Sequence, residues 1–195
     1  MSGSNRNGWH LVQLPDGTLY VLIARGLVPG TNIQMDGAIY RSTDGAEHWQ
    51  PVRLPAGANA PNDLVFDPTN PSRMYLACWP QSVNETNQYG GLYITEDGAA
   101  TWRLAYDQNP HVYGVALDPD NPSTVFINTF DGAALRSDDR GATWQRLGGY
   151  NFKWGHRPAP DPVNKGMLYL TTFGSSVWHG PAKGVPGTFE DVYPF

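Results

Sequence analysis

Ser137-Asp138-Asp139-Arg140-Gly141-Ala142-Thr143-Trp144 decides how the rest of the chain is read, because two variants of it come earlier. They are Thr95-Glu96-Asp97-Gly98-Ala99-Ala100-Thr101-Trp102 and Ser42-Thr43-Asp44-Gly45-Ala46-Glu47-His48-Trp49, with the tryptophans 53 and then 42 positions apart. The pattern predicts a tight turn. The Asp carboxylate accepts from backbone N–H groups of its own turn, Gly permits positive φ, and Trp packs beneath. Asp44, Trp49, Asp97, Trp102, Asp139 and Trp144 are therefore read as structural. Working outward, a second turn recurs at Asp67-Pro68-Thr69-Asn70, Asp118-Pro119-Asp120-Asn121 and Asp161-Pro162-Val163-Asn164. In all three an aromatic stands eight residues after the Asp: Tyr75, Phe126 and Tyr169. Proline presets φ there and Asn or Asp bonds locally, so Asp67, Asp118 and Asp161 are structural as well.

Between the turns lie short strand-like runs, among them Leu64-Val65-Phe66, Met74-Tyr75-Leu76-Ala77 and Gly91-Leu92-Tyr93-Ile94. Four short strands in about 40–50 residues is the period of a propeller blade. The expected fold is all-β, a β-propeller segment of four four-stranded antiparallel blades over approximately 8–55, 61–106, 111–148 and 153–195, forming a single domain or a fragment of one. The first unit lacks Asp-Pro-x-Asn and turns at Pro15-Asp16-Gly17 instead. The fourth replaces the Trp motif by Gly174-Ser175-Ser176-Val177-Trp178-His179-Gly180.

Composition agrees. With 22 Gly and 17 Pro in 195 residues, a fifth of the chain disfavours long helices. A net charge of -5 leaves no basic footprint for nucleic acid. No apolar run reaches the length of a membrane span, and the first eight residues do not read as a signal peptide. One cysteine, Cys78, excludes an internal disulfide and Cys-rich zinc sites, and following an apolar strand it reads as a buried small hydrophobe. The five histidines show no metal-ligand spacing, so neither a metal nor a cofactor is expected.

The Trp motif resembles the Asp-box, or bacterial neuraminidase repeat, Ser-x-Asp-x-Gly-x-Thr-Trp. Residues 137–144 fit every position. Ala46, His48 and Ala99, with Thr95 for Ser, are departures. Together with Asp-Pro-x-Asn the chain is similar to xyloglucanase-type glycoside hydrolases and sortilin-like propellers. The resemblance implies a segment of a larger, about seven-bladed ring, an extracellular or periplasmic setting, and as partners a glycan or oligosaccharide, the remaining blades or a second copy of the chain. It fits two functions. One is a carbohydrate-facing part of a glycoside-hydrolase-like protein. The other is a non-enzymatic scaffold for protein–protein contact, as in sortilins and assembly factors.

The repeated turns occupy one end of a four-stranded meander, so a ligand belongs at the other, among the strand 2–3 and inter-blade loops. Trp79 to Tyr89 is a long loop there, read either as a polar surface loop with a packing Trp or as a ligand loop, with Trp79, Glu85 and Tyr89 suited to stacking on a sugar and bonding its hydroxyls. Aligning the units on Asp-Pro places Asn62, Tyr113 and His156 at one common position and Asp63, Gly114 and Arg157 at the next, at the mouth of a central channel. Asp63 and Arg157 form either a ligand contact or an ion pair closing the channel. Asp107, His111 and Trp154 lie on neighbouring links. Glycoside hydrolysis usually needs two carboxylates roughly 5–9.5 Å apart. Asp63, Glu85 and Asp107 are the candidates, no pair stands out, and catalytic residues are not identified. The three arginines of a sialidase are not matched.

Overall fold

The computed structural model describes residues 8–28, 30–174 and 176–186. The first sheet is built from β1 (Gly8–Gln13), β2 (Leu19–Ile23), β5 (Ala38–Ser42) and β6 (Gln50–Val52), with β3 (Gly26–Leu27) and β4 (Gln34–Met35) forming a small hairpin between its second and third strands. The second contains β7 (Pro61–Asp67), β8 (Asn70–Cys78), β11 (Gly91–Thr95) and β12 (Arg103–Tyr106), with a matching hairpin, β9 (Gln81–Val83) and β10 (Thr86–Gln88). The third is β13 (Val112–Leu117), β14 (Val125–Thr129), β15 (Ala133–Ser137) and β16 (Gln145–Arg146). The fourth has three strands among the described residues, β17 (Gly155–Pro160), β18 (Met167–Thr172) and β19 (Val177–Pro181). Its expected fourth strand lies outside them. All pairings within the sheets are antiparallel and join consecutive sheet strands, the meander of a propeller blade. Among the described residues no helix is long and apolar enough to cross a membrane.

Alternation of side chains along each strand explains the stacking. On β8, Met74, Leu76 and Cys78 join Tyr20, Leu22 and Ile39 of the first sheet. Tyr75 and Ala77, on the opposite face, join Val112, Val125 and Ile127 of the third. On β14, Val125 and Ile127 face the second sheet while Phe126 joins Leu168 and Leu170 of the fourth. A sheet covered on both faces reads as an unbroken apolar run, which is why β8 and β11 show no polar alternation. Cys78 is fully buried, and burial pushes its thiol pKa up.

The three Trp-bearing turns share one bonding scheme. Ser42, Thr95 and Ser137 each donate to the carboxylate of Asp44, Asp97 or Asp139 at 2.7–2.8 Å. The same hydroxyls accept the N–H of Ala46, Ala99 and Gly141. Those last three have φ of 76°, 73° and 79°, so two alanines occupy the left-handed conformation that Gly141 adopts freely. Thr101 and Thr143 donate their hydroxyls to the second carboxylate oxygen at 2.6 Å, and in the first turn His48 Nδ1 meets that oxygen at 2.7 Å. Donation by Thr101 and Thr143, from side chain and backbone, with help from Thr95 and Ser137, holds Asp97 and Asp139 at a pKa of about 2.

The tryptophans then tie sheet to sheet. Trp102 Nε1 donates to Arg53 O in the link before its sheet, and Trp144 Nε1 donates to Ala105 O on the outer strand of the preceding sheet. Trp49, in the first sheet, bonds Ala46 O of its own turn.

Candidate functional site

At the end of the array opposite these turns, the innermost strands β1, β7, β13 and β17 converge. Each carries an irregularity at the same point, between Gly8 and His10, Pro61 and Asp63, Val112 and Gly114, and Gly155 and Pro158. A bulge inserts an unpaired residue and re-aims its side chain. The bulged residues are Trp9, Asn62 and Tyr113, with His156 and Arg157 in the fourth strand. A second equivalent position directly follows the second strand of every sheet: Ala24, Trp79, Phe130 and Phe173. A third precedes the innermost strand: Ala60, His111 and Trp154. The backbone ties the last two positions together, since Trp79, Phe130 and Phe173 donate N–H to Ala60, His111 and Trp154 O at 2.8–2.9 Å.

These positions enclose a cavity of about 560 Å³ lined by Trp9, Ala24, Arg25, Ala60, Asn62, Trp79, Tyr113, Phe130, Trp154 and Phe173. Every sheet contributes. Tyr113 is the centre of the aromatic wall. Its ring centroid lies 6.2 Å from Trp9, 5.7 Å from Trp79, 5.2 Å from His156 and 4.8 Å from Phe173, all edge-on. Trp79 also meets His111 at 4.7 Å and Phe130 at 5.1 Å. Trp9, Trp154 and Phe173 remain 41–44% exposed, so faces of the wall are open to a ligand.

Beneath the wall, Asp63 is 3% exposed. Its Oδ1 accepts from Leu64 N and its Oδ2 from Val115 N in the neighbouring sheet, both at 3.1 Å. His10 Nδ1 lies 2.9 Å from Oδ1 and Arg157 Nε 3.5 Å from Oδ2. One carboxylate thus gathers contacts from all four innermost strands. Gly114 permits this convergence, because a Cβ there would stand 2.5 Å from His156 O and 2.8 Å from Arg157 Cα. Burial first, and the neighbouring Arg157 second, hold His156 below its ordinary pKa, which makes it a neutral ring at pH 7. His111 is braced by Asp131, with Nδ1 to Oδ2 at 2.8 Å.

The structure therefore brings Trp79, His111, Tyr113, Trp154 and His156 into one aromatic site and puts Asp63 and Arg157 in its base. It does not bring the other three candidates there. Glu85 occupies the tip of the β9–β10 hairpin, where Asn84 and Glu85 (φ 49° and 63°) form a two-residue turn. Tyr89 is turned away onto the first–second link, where a Cβ on Gly57 would strike its ring. Asp107 is exposed on the second–third link and does not line the cavity. Trp9, Phe130 and Phe173 join the site although no sequence motif marks them individually. Their signal is the repeat itself, in the register of the strand starts and of Thr129-Phe130 against Thr172-Phe173.

Arg25 closes one side. Its Nη1 donates to Asn59 Oδ1 at 3.1 Å and its Nη2 to Pro80 O at 3.0 Å. Asn59 Nδ2 in turn donates to Asp36 Oδ1 at 2.7 Å, and Gln81 reaches Gly57 O. This network locks the two loop hairpins against the cavity.

No protein-family model matches the chain. It is 31% identical over 173 residues to a xyloglucanase of Hypocrea jecorina (strain QM6a), covering 75% of this chain and 19% of that protein. The crystal structure of a Niastella koreensis GH74 enzyme superposes with a TM-score of 0.70 at 22% identity, over 91% of this chain and 29% of that one. YCF48 from Cyanidioschyzon merolae superposes with a TM-score of 0.62 at 12% identity, over 94% and 53%. The chain resembles xyloglucanase-type propellers. It spans about a fifth of the length of the curated relatives it matches, and its four sheets correspond to a segment of a larger propeller.

Proposed function

We propose that this glycoside-hydrolase-related propeller segment binds carbohydrate in the aromatic cavity. The observation that carries the reading is a cleft of about 560 Å³ walled by Trp9, Trp79, Tyr113, Phe130, Trp154 and Phe173, with no Asp or Glu among its described lining residues. Indole and phenyl faces pack on the C–H faces of sugar rings, and pockets of this size accommodate small ligands. Asp63 is held in place by two N–H donors, with Arg157 beside one oxygen and His10 beside the other, so it organises the strands and does not transfer a proton to a substrate. The cavity supplies binding. Its described lining residues include no carboxylate pair for bond cleavage.

The kinship to xyloglucanases suggests an extracellular glycan as the ligand. The remaining propeller blades, or a second copy, are the partners proposed for the outward flanks of the first and fourth sheets, where Leu11 and Val177 are 60% and 58% exposed.

Calorimetric titration with xyloglucan and cello-oligosaccharides tests the reading. Trp79→Ala should weaken binding sharply, since it removes a ring in contact with three others, while leaving the fold cooperative. Failure of the unmodified chain to bind any of a broad panel of oligosaccharides would overturn it and favour the scaffold alternative.

A further inference from the structure

The polar groups among the described lining residues are few. Of the ten lining residues, Arg25 is the one with a formal charge, and it is half-buried. A guanidinium carries five N–H donors and keeps its charge in any protein environment. Here two donors are used, both on neutral acceptors, the Asn59 amide and the Pro80 carbonyl. The acidic group that influences it is Asp36, and Asn59 stands between them, accepting from Arg25 and donating to Asp36. Arg25 is therefore a positioned cation with no carboxylate bonded to it among the described residues. The side-chain nitrogen of Asn62, on the same lining, is buried with no acceptor among the described residues. Buried donors without acceptors are uncommon in native structures and call for a partner.

Six aromatic side chains, one cation and one unmatched amide donor, with no carboxylate among the described lining residues, describe a site short of negative charge. We infer that the cavity takes an acidic glycan, a sugar chain bearing a uronate, with the sugar rings on the aromatic wall and the carboxylate on Arg25. This deepens the carbohydrate reading and rests on it. Arginine is suited to the task because its planar fork matches a carboxylate with two parallel N–H donations, stronger than bonds to neutral hydroxyls. The bonds to Asn59 and Pro80 fix the fork in advance, so little side-chain freedom is lost when the anion arrives. The net charge of -5 works against anions at long range. Selectivity then comes from this local contact and not from steering.

The test uses matched probes on the 195-residue chain: tetragalacturonate with its methyl ester, and glucuronosyl-xylotriose with its carboxyl-reduced alcohol, beside a neutral xyloglucan heptasaccharide. One acid should bind about tenfold or more tighter than its uncharged twin, the scale of a charge-assisted bond. Arg25→Gln should bring that pair to parity, and Trp79→Ala should weaken both members together. Arg25→Gln also releases the two loop hairpins, so the acid-to-neutral ratio on the unmodified chain decides if that variant does not fold. Equal binding of each pair, a preference that survives Arg25→Gln, or binding of the heptasaccharide with neither acid bound would overturn the inference and leave the carbohydrate reading standing. No binding of any of the five probes would overturn the inference; the carbohydrate reading falls only if the broader panel fails too.

Discussion

Replacing Asp63 by Ala should be the most costly single change at the base of the site, and its cost can be worked from the contacts. Two buried backbone donors, Leu64 N and Val115 N, lose their acceptor. Each buried donor left unpaired costs about 1–3 kcal/mol. The Arg157 guanidinium, 3.5 Å away, loses its counter-charge, as does any protonated fraction of His10. Breaking one side of a buried ionic group typically costs about 3–5 kcal/mol in total, so the separate contributions overlap and the expected loss is about 3–5 kcal/mol. For a domain of this length each kcal/mol moves Tm by about 2–4 °C, which gives a fall of roughly 6–20 °C. Thermal and urea melts measure the global effect, and amide hydrogen exchange locates it. Exchange at Leu64 and Val115 should rise beyond the global change, since those two amides alone lose their acceptor directly. A loss below about 1 kcal/mol, or retained protection at both amides, would refute the view that this carboxylate joins the inner strands.

Other expectations follow from the same geometry. Gly155→Ala should lose about 1–3 kcal/mol by overpacking, because the new Cβ would sit 2.4 Å from Thr129 O and 2.7 Å from Phe152 Cε2; Gly26→Ala, with nothing within 4 Å, should stay within about 0.5 kcal/mol of the parent in urea melts. Trp144→Phe removes the bond to Ala105 O and should cost about 0.5–1.5 kcal/mol in the same assay with glycan titrations unchanged. Asp97 and Asp139 titrate at about 2 in the folded chain, below the ordinary carboxylate value. Their contribution is therefore complete above the unfolded pKa of about 4 and is lost as pH falls towards 2. Melts from pH 5 to pH 2 should show that decline, shallower in Asp139→Asn; identical slopes would remove these turns from the acid response.

The fold was legible because its determinants are local. Asp-Pro-x-Asn and the Trp-bearing turns are short-range hydrogen-bonding devices, so their spacing displays the meander directly. The site was legible only where that ruler reached it. Counting back from Asp67, Asp118 and Asp161 puts Asn62, Tyr113 and His156 on one position, and the bulges account for that position facing the cavity. Trp9 escaped because the first unit turns at Pro15-Asp16-Gly17 and offers no Asp-Pro to count from. Phe130 and Phe173 directly follow the second strands of their sheets, where no turn motif marks them. Glu85 shows the limit of composition as a guide. A polar loop rich in amides suggested ligand contacts, yet Asn84-Glu85 is the minimal turn of a hairpin. The link through Asn59 depends on side chains from three separate segments meeting in space, which spacing along the chain does not encode.

Besides the apolar cores between neighbouring sheets, two polar ties give the molecule the mechanics of a folding fan. At the rim, the Trp144 hydrogen bond reaches the strand before its own sheet and the Trp102 bond the preceding link, so each ties one pair of neighbouring ribs and fraying there stays local. At the pivot, Asp63 touches four strands at once, and the cavity above it draws its walls from the same four sheets. A ligand seated at the pivot consequently bridges every rib. Its binding energy adds to the stability of the whole array rather than of one blade. Binding at the narrow end can thus stiffen outer strands that the ligand never approaches.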